Sequence, residues 1–120
     1  MTAEAKLLQL AQRLAERTAH GSVIWEPTAD KSTYQTAFPD YGVRIVEIQK
    51  ADDLDPRYLI ELLDANGNII ERAFDLDIVP DEGRPEALKA IRDLYTVVRR
   101  RALGVDNALD NLLSELGKAS

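Results

Sequence analysis

The chain has 120 residues, 45% of them apolar and 30% charged, with no cysteine and a formal net charge of −6. That length suits one domain able to bury most of the surface its unfolded form exposes, so residues 1–120 are expected to form a single α+β domain. The missing cysteines exclude disulfides, thiolate metal sites and cysteine nucleophiles. No run approaches the roughly 20 apolar residues of a membrane helix. The start, Met1-Thr2-Ala3-Glu4-Ala5-Lys6, has neither the basic opening nor the apolar middle of a secretory leader, so a cytoplasmic location is expected.

The charge is unevenly spread. Residues 1–50 carry six acidic and six basic side chains, residues 51–83 ten and two, and residues 84–120 five and seven. The middle third therefore reads as an acidic patch of Asp52, Asp53, Asp55, Glu61, Asp64, Glu71, Asp75, Asp77, Asp81 and Glu82. Such a field disfavours nucleic acid and anionic membranes, whose binding needs clustered Lys and Arg. Its plainest role is to keep the protein dispersed.

In chain order, residues 3–19 predict an amphipathic helix with Ala3, Leu7, Leu10, Ala11, Leu14 and Thr18 on one face. Thr2 is placed to cap its start and Gly21 to end it. Ser22 to Glu26 reads as a short strand carrying the only tryptophan, Trp25, and stopped by Pro27. Ser32 to Phe38 alternates with the period of a half-buried strand. Pro39-Asp40-Tyr41-Gly42 is a turn by composition, and Val43 to Gln49 resumes as a strand.

The strongest local signal follows the polar run Lys50 to Pro56. Two apolar runs, Tyr58 to Leu63 and Asn68 to Phe74, flank Asp64-Ala65-Asn66-Gly67, the pattern of a β-hairpin. A two-residue turn at Asn66-Gly67 would set Glu61 opposite Arg72. A three-residue loop, with Asp64 opening a type I turn and Gly67 left-handed, would instead gather Tyr58, Ile60, Leu62, Ile70 and Phe74 on one face with Arg72 among them. The second register is the expected one, and its cost is a Glu61–Glu71 pairing on the other face. Short connections make a five-stranded antiparallel meander the simplest topology.

Asp75 to Gly83 reads as an acidic loop with Ile78 and Val79 turned inward. Pro85 suits the first turn of a long helix whose apolar face is Ala87, Leu88, Ile91, Leu94, Tyr95, Val98 and Ala102. Gly104 breaks it, Asp106 is placed to cap a new turn, and Leu109, Leu112, Leu113 and Leu116 form a last, narrow stripe. Helices packed against an antiparallel sheet account for every element.

No catalytic constellation assembles from these residues. His20, the one histidine, stands at a helix C-terminus, where a cation complements the dipole. Asp75-x-Asp77 and Asp81-Glu82 lack the spacing of a calcium loop, so neither metal nor cofactor is expected. Arg99-Arg100-Arg101 is the one basic cluster, but successive helical residues point about 100° apart and make no single patch; the flank shared by Arg92 and Arg99 is more coherent. Tyr41 is the aromatic set apart, because it falls in a predicted turn.

Two functional expectations follow. The first is a non-catalytic protein-interaction module, acting as a homodimer through Leu109, Leu112, Leu113 and Leu116, with Tyr41 as a further contact. A separate partner would be drawn by the acidic hairpin edge from Asp52 to Asp55 and Glu71 to Asp77. The second is a small-molecule site between sheet and helices, walled by Trp25, Tyr34 and Tyr58 and anchored by Arg72, because a charge on an apolar face needs a partner.

Overall fold

The computed structural model describes residues 2–50 and 54–118. Helix α1 (Ala3–Ala19) opens on the side chain of Thr2, whose hydroxyl accepts from the Ala5 N–H at 3.1 Å. Five strands follow: β1 (Glu26–Pro27), β2 (Thr33–Ala37), β3 (Tyr41–Ile48), β4 (Arg57–Asp64) and β5 (Ile69–Phe74). They form one antiparallel sheet in the order β1-β2-β3-β4-β5, the meander that short connections favour. Helices α2 (Asp75–Ile78), α3 (Arg84–Ala102) and α4 (Val105–Lys118) complete the chain.

One face of the sheet carries the core. Tyr34, Ile45, Ile60 and Ala73 lie in register across β2 to β5 and are buried, with Val43 and Tyr58 beside them. They pack into one cluster with Ala11 and Leu14 of α1 and with Ala87, Ile91, Leu94, Tyr95 and Val98 of α3. These α3 positions are the apolar stripe that the 3.6-residue period predicts. Tyr95 ties the layers together: its ring stands 5.7 Å from Tyr34 and 5.2 Å from Tyr58, and its hydroxyl donates to the Ser32 carbonyl at 3.1 Å.

Three local expectations need correction. The strand expected over Ser22 to Glu26 is only Glu26–Pro27. Trp25 stays outside it because its indole N–H is committed to the Thr18 hydroxyl at 2.8 Å, anchoring the segment on α1 rather than in the sheet. Tyr41, expected in a turn, is the first residue of β3 and pairs with Asp64. The segment expected to be a plain loop contains the single turn α2, with Asp77 accepting from the Phe74 N–H at 3.4 Å and burying Ile78; Val79, just after it, is buried too.

The central hairpin combines both registers. At its tip the three-residue loop is present: Asp64 N–H donates to Asn68 O at 2.9 Å, Gly67 N–H donates to Asp64 O at 3.1 Å, and Gly67 has a φ of +85°, a conformation glycine adopts without steric cost. Leu63 accordingly faces Ile69. A bulge at Ile70 then shifts the ladder by one residue, so Leu62 faces Glu71 and Glu61 faces Arg72. The expected Glu61–Glu71 pairing is thereby avoided. Ile70 and Phe74 are exposed rather than gathered with Tyr58 and Ile60, and Arg72 lies on the face away from the helices.

Candidate functional site

Two surfaces lie away from the main core. The first is the sheet face opposite α1 and α3, on which Thr33, Leu59, Glu61 and Leu63 are nonetheless buried. Strand alternation places on it three transverse rows that cross all of β2 to β5, with the shorter Ile48–Arg57 pair beyond them. The middle row is polar, running Gln35–Arg44–Glu61–Arg72 across β2 to β5. Within it Arg44 Nε donates to Gln35 Oε1 at 2.8 Å, and Arg72 Nη2 donates to Glu61 Oε2 at 2.8 Å. On one side of this row stand Thr33, Val46, Leu59 and Phe74; on the other stand Ala37, Gly42, Leu63 and Ile69. A shallow concavity of about 490 Å³ lies over the polar row, with Thr28 and Asp30 of the β1–β2 connection at its rim.

A water-facing side of an antiparallel sheet ordinarily alternates to polar residues. Here two of the three rows are largely apolar; their β4 leucines, Leu59 and Leu63, are buried, and their exposed members are Phe74 and Ile69 on β5, each 41% exposed. Asp30 is fixed locally: its carboxylate accepts from the Ser32 N–H at 2.9 Å and the Ser32 hydroxyl at 2.8 Å, and the backbone bond leads in holding its pKa below the usual carboxylate value.

The second surface is α4. None of its fourteen residues is buried, and Leu109, Leu112, Leu113 and Leu116 are 51%, 57%, 66% and 67% exposed. Its packing neighbour is the end of α3. The break between the two helices is Gly104, with φ at +65°. The molecule is correspondingly elongated, 57 × 35 × 28 Å, with a radius of gyration of 16.1 Å. A compact chain of this length would have about 13.6 Å. Asp106, expected as a cap, falls in the first turn of α4, where an acidic side chain suits the dipole.

The structure separates the residues expected to share a small-molecule cleft. Trp25, Tyr34 and Tyr58 are core residues on the helix side. Arg72 is on the other side, with its side chain 59% exposed and its guanidinium paired to Glu61. The space between sheet and helices is filled by apolar side chains, so the reason for a cleft anchored by Arg72 is withdrawn. Tyr58 serves instead in a core-edge bond, its hydroxyl donating to Glu47 Oε2 at 3.1 Å. Burial first, and the Glu47 bond second, push its pKa to about 12.

The other charged candidates resolve into local roles. His20 Nδ1–H donates to Glu16 O at 2.7 Å, closing the end of α1. Arg101 Nη2 donates to Ala19 O at 2.6 Å and holds the end of α3 against the end of α1. Arg99 and Arg100 border a concavity of about 360 Å³ with Lys31, Glu47 and Tyr95. The acidic patch disperses: Glu61 and Asp75 are buried, Asp64 is consumed by its own turn, and Asp52 and Asp53 lie outside the described residues. Among the described residues no three His, Asp or Glu side chains are placed to hold a metal ion, and no helix is long and apolar enough to cross a membrane.

Tyr41, expected as a contact residue, is 54% exposed at the start of β3. Sequence reasoning identified the leucine stripe but missed the second, partly apolar sheet face, whose signal was the alternation Leu59, Glu61, Leu63 on β4. Compared with family models, curated proteins and solved structures, the chain matched none.

Proposed function

We propose that this protein is a non-catalytic interaction module that associates with a second copy of itself through α4, in the cytoplasm. One observation carries the proposal: a fourteen-residue helix with no buried residue holds four leucines on one side, each more than half exposed. Helices of this length gain most of their stability from packing an apolar face, and are marginal without it. At about 25 cal/mol per Å², removing these half-exposed leucines from water contributes on the order of 1 kcal/mol each. A two-fold dimer is the commonest arrangement that supplies such cover. A chain without cysteine is compatible with a reducing compartment.

Light scattering across a dilution series, at low and high salt, tests the proposal. The expected result is twice the chain mass at micromolar concentration, and the chain mass for Leu109→Ser combined with Leu116→Ser. Because these leucines are exposed, the two substitutions should cost the folded monomer less than about 1 kcal/mol, whereas Ile91→Ala in the core should cost about 2–5 kcal/mol. A salt-insensitive monomer at high micromolar concentration would overturn the proposal.

A further inference from the structure

Tyr95 and Thr96, with Arg99 and Arg100 one turn later, form two successive rungs on one side of α3. Across a concavity from them stand Glu47, near the end of β3, and Lys31, shortly before β2. These walls meet at one atom: the Ser32 carbonyl accepts from the Tyr95 hydroxyl at 3.1 Å and from the Glu47 N–H at 3.0 Å. The β1–β2 connection is held in turn by Asp30, whose carboxylate accepts from the Ser32 N–H and the Ser32 hydroxyl. Three elements that cannot shift independently therefore set the concavity, and its volume of about 360 Å³ falls in the range of small-ligand sites.

We propose that this concavity binds a small phosphorylated polyol, its phosphate between Lys31, Arg99 and Arg100 and a hydroxyl at Glu47. Three cations and one carboxylate line the space in a chain whose net charge is −6. None of the four takes part in an ion pair among the described residues. The helix dipole accounts for a cation at the end of α3, and Arg101 fills that place with its bond to Ala19 O; it does not account for Lys31, which no helix carries. A phosphate dianion together with Glu47 balances the three cations, and its oxygens accept from two guanidinium groups and one ammonium. Glu47 Oε2 accepts from the Tyr58 hydroxyl at 3.1 Å, and a carboxylate has lone pairs for a second donor. A nucleic-acid backbone, by contrast, needs a longer track of Lys and Arg than one concavity supplies.

An NMR chemical-shift titration of the native chain with glycerol 3-phosphate, at constant ionic strength, tests the site. The expected result is saturable shifts of the amides around Lys31, Glu47 and Arg99, with a Kd of about 1 mM, the weak affinity of an exposed ionic site. Inorganic phosphate should bind more weakly, and glycerol alone should leave the amides unmoved. Lys31→Gln and Arg99→Gln should each raise the Kd about fivefold, whereas Arg13→Gln, which removes a cation from α1, should leave it unchanged. Glu47→Gln keeps an acceptor for Tyr58 and takes away one negative charge. Inorganic phosphate should then bind more tightly, and the advantage of glycerol 3-phosphate over it should narrow. All four side chains are exposed or half-buried, so each variant should keep the native melting temperature.

No saturation by glycerol 3-phosphate at about 20 mM overturns the inference. So do shifts that sodium chloride reproduces at equal ionic strength, which would report screening alone, and an unchanged Kd in a Lys31→Gln/Arg99→Gln chain. Inorganic phosphate binding as tightly as glycerol 3-phosphate would overturn the role of Glu47 and with it the polyol. None of these outcomes depends on self-association, which light scattering reads separately.

Discussion

Glu61 and Arg72 stand directly opposite each other on β4 and β5, and Arg72 Nη2 donates to Glu61 Oε2 at 2.8 Å with the carboxylate side chain 8% exposed and the guanidinium 59% exposed. The pair is therefore one-sided: a carboxylate removed from water, held by a cation that keeps one side in it. Replacing Arg72 with Met leaves the carboxylate buried without its donor and should lower stability by roughly 1–2 kcal/mol in urea unfolding, less than for a pair buried at both ends. Glu61→Gln, which keeps an acceptor oxygen, should cost less. A Glu61→Leu/Arg72→Leu chain should recover much of the loss, and equal losses in all three variants would contradict this account.

Trp25 and Thr18 form the second such relationship. The indole N–H donates to a hydroxyl on a residue with no exposed surface. Thr18→Val preserves shape and removes the acceptor, leaving a buried donor unsatisfied at a cost of about 1–3 kcal/mol. Because Trp25 is the only tryptophan, its fluorescence reports the site alone. The expected change is an emission shift with a lower unfolding midpoint, while helix content by circular dichroism stays constant.

The hairpin tip sets an acid limb of stability. The Asp64 carboxylate accepts from the Asn66 and Asn68 N–H groups, both at 2.9 Å, and the Asn68 backbone bond leads in lowering its pKa from the usual 3.8. A carboxylate with a lowered folded pKa contributes stability that is fully present above its unfolded value and is lost as pH falls through the folded one. Asp64→Ala should thus lower the urea midpoint at neutral pH and show a smaller further decline below pH 3.8 than the native chain. Parallel acid profiles for the two chains would exclude this role.

Tyr58 sets an alkaline limb. Its pKa rises from 10.0 to about 12, because burial and the bond to Glu47 both favour the neutral phenol. Its stabilising contribution is complete below pH 10 and is lost as pH climbs toward 12. The Tyr58 share of the phenolate absorbance, taken as the difference between the native chain and Tyr58→Phe, should stay suppressed in that window while the chain is folded, and rise together with the loss of circular dichroism. Tyr58→Phe, which lacks the ionising group, should resist alkali better than the native chain.

Much of the fold was legible because its determinants are local or periodic. The period of 3.6 over residues 84–102 specifies which α3 side chains enter the core. Asp64, Asn66 and Gly67 specify the hairpin tip through their own hydrogen bonds and a positive φ, interactions that span at most four residues. Thr2 specifies the start of α1 in the same way. Gly104 and the leucines after it announce a separate amphipathic helix.

Tertiary structure decided what depends on comparing distant surfaces. The bulge at Ile70 has no turn chemistry of its own; it lets Glu61 meet Arg72 and Ala73 meet Ile60 at once, and only the assembled sheet makes both favourable. Trp25 left the sheet because an acceptor on α1 was within reach. Apolar alternation identifies Leu59 and Leu63 as one face of β4 but is silent on which face the helices cover, since both faces of that strand carry apolar residues. The packing of α1 and α3 on the side of Tyr58 and Ile60 made that choice, and left Ile69 and Phe74 at the β5 edge of the other face, and the leucines of α4, exposed.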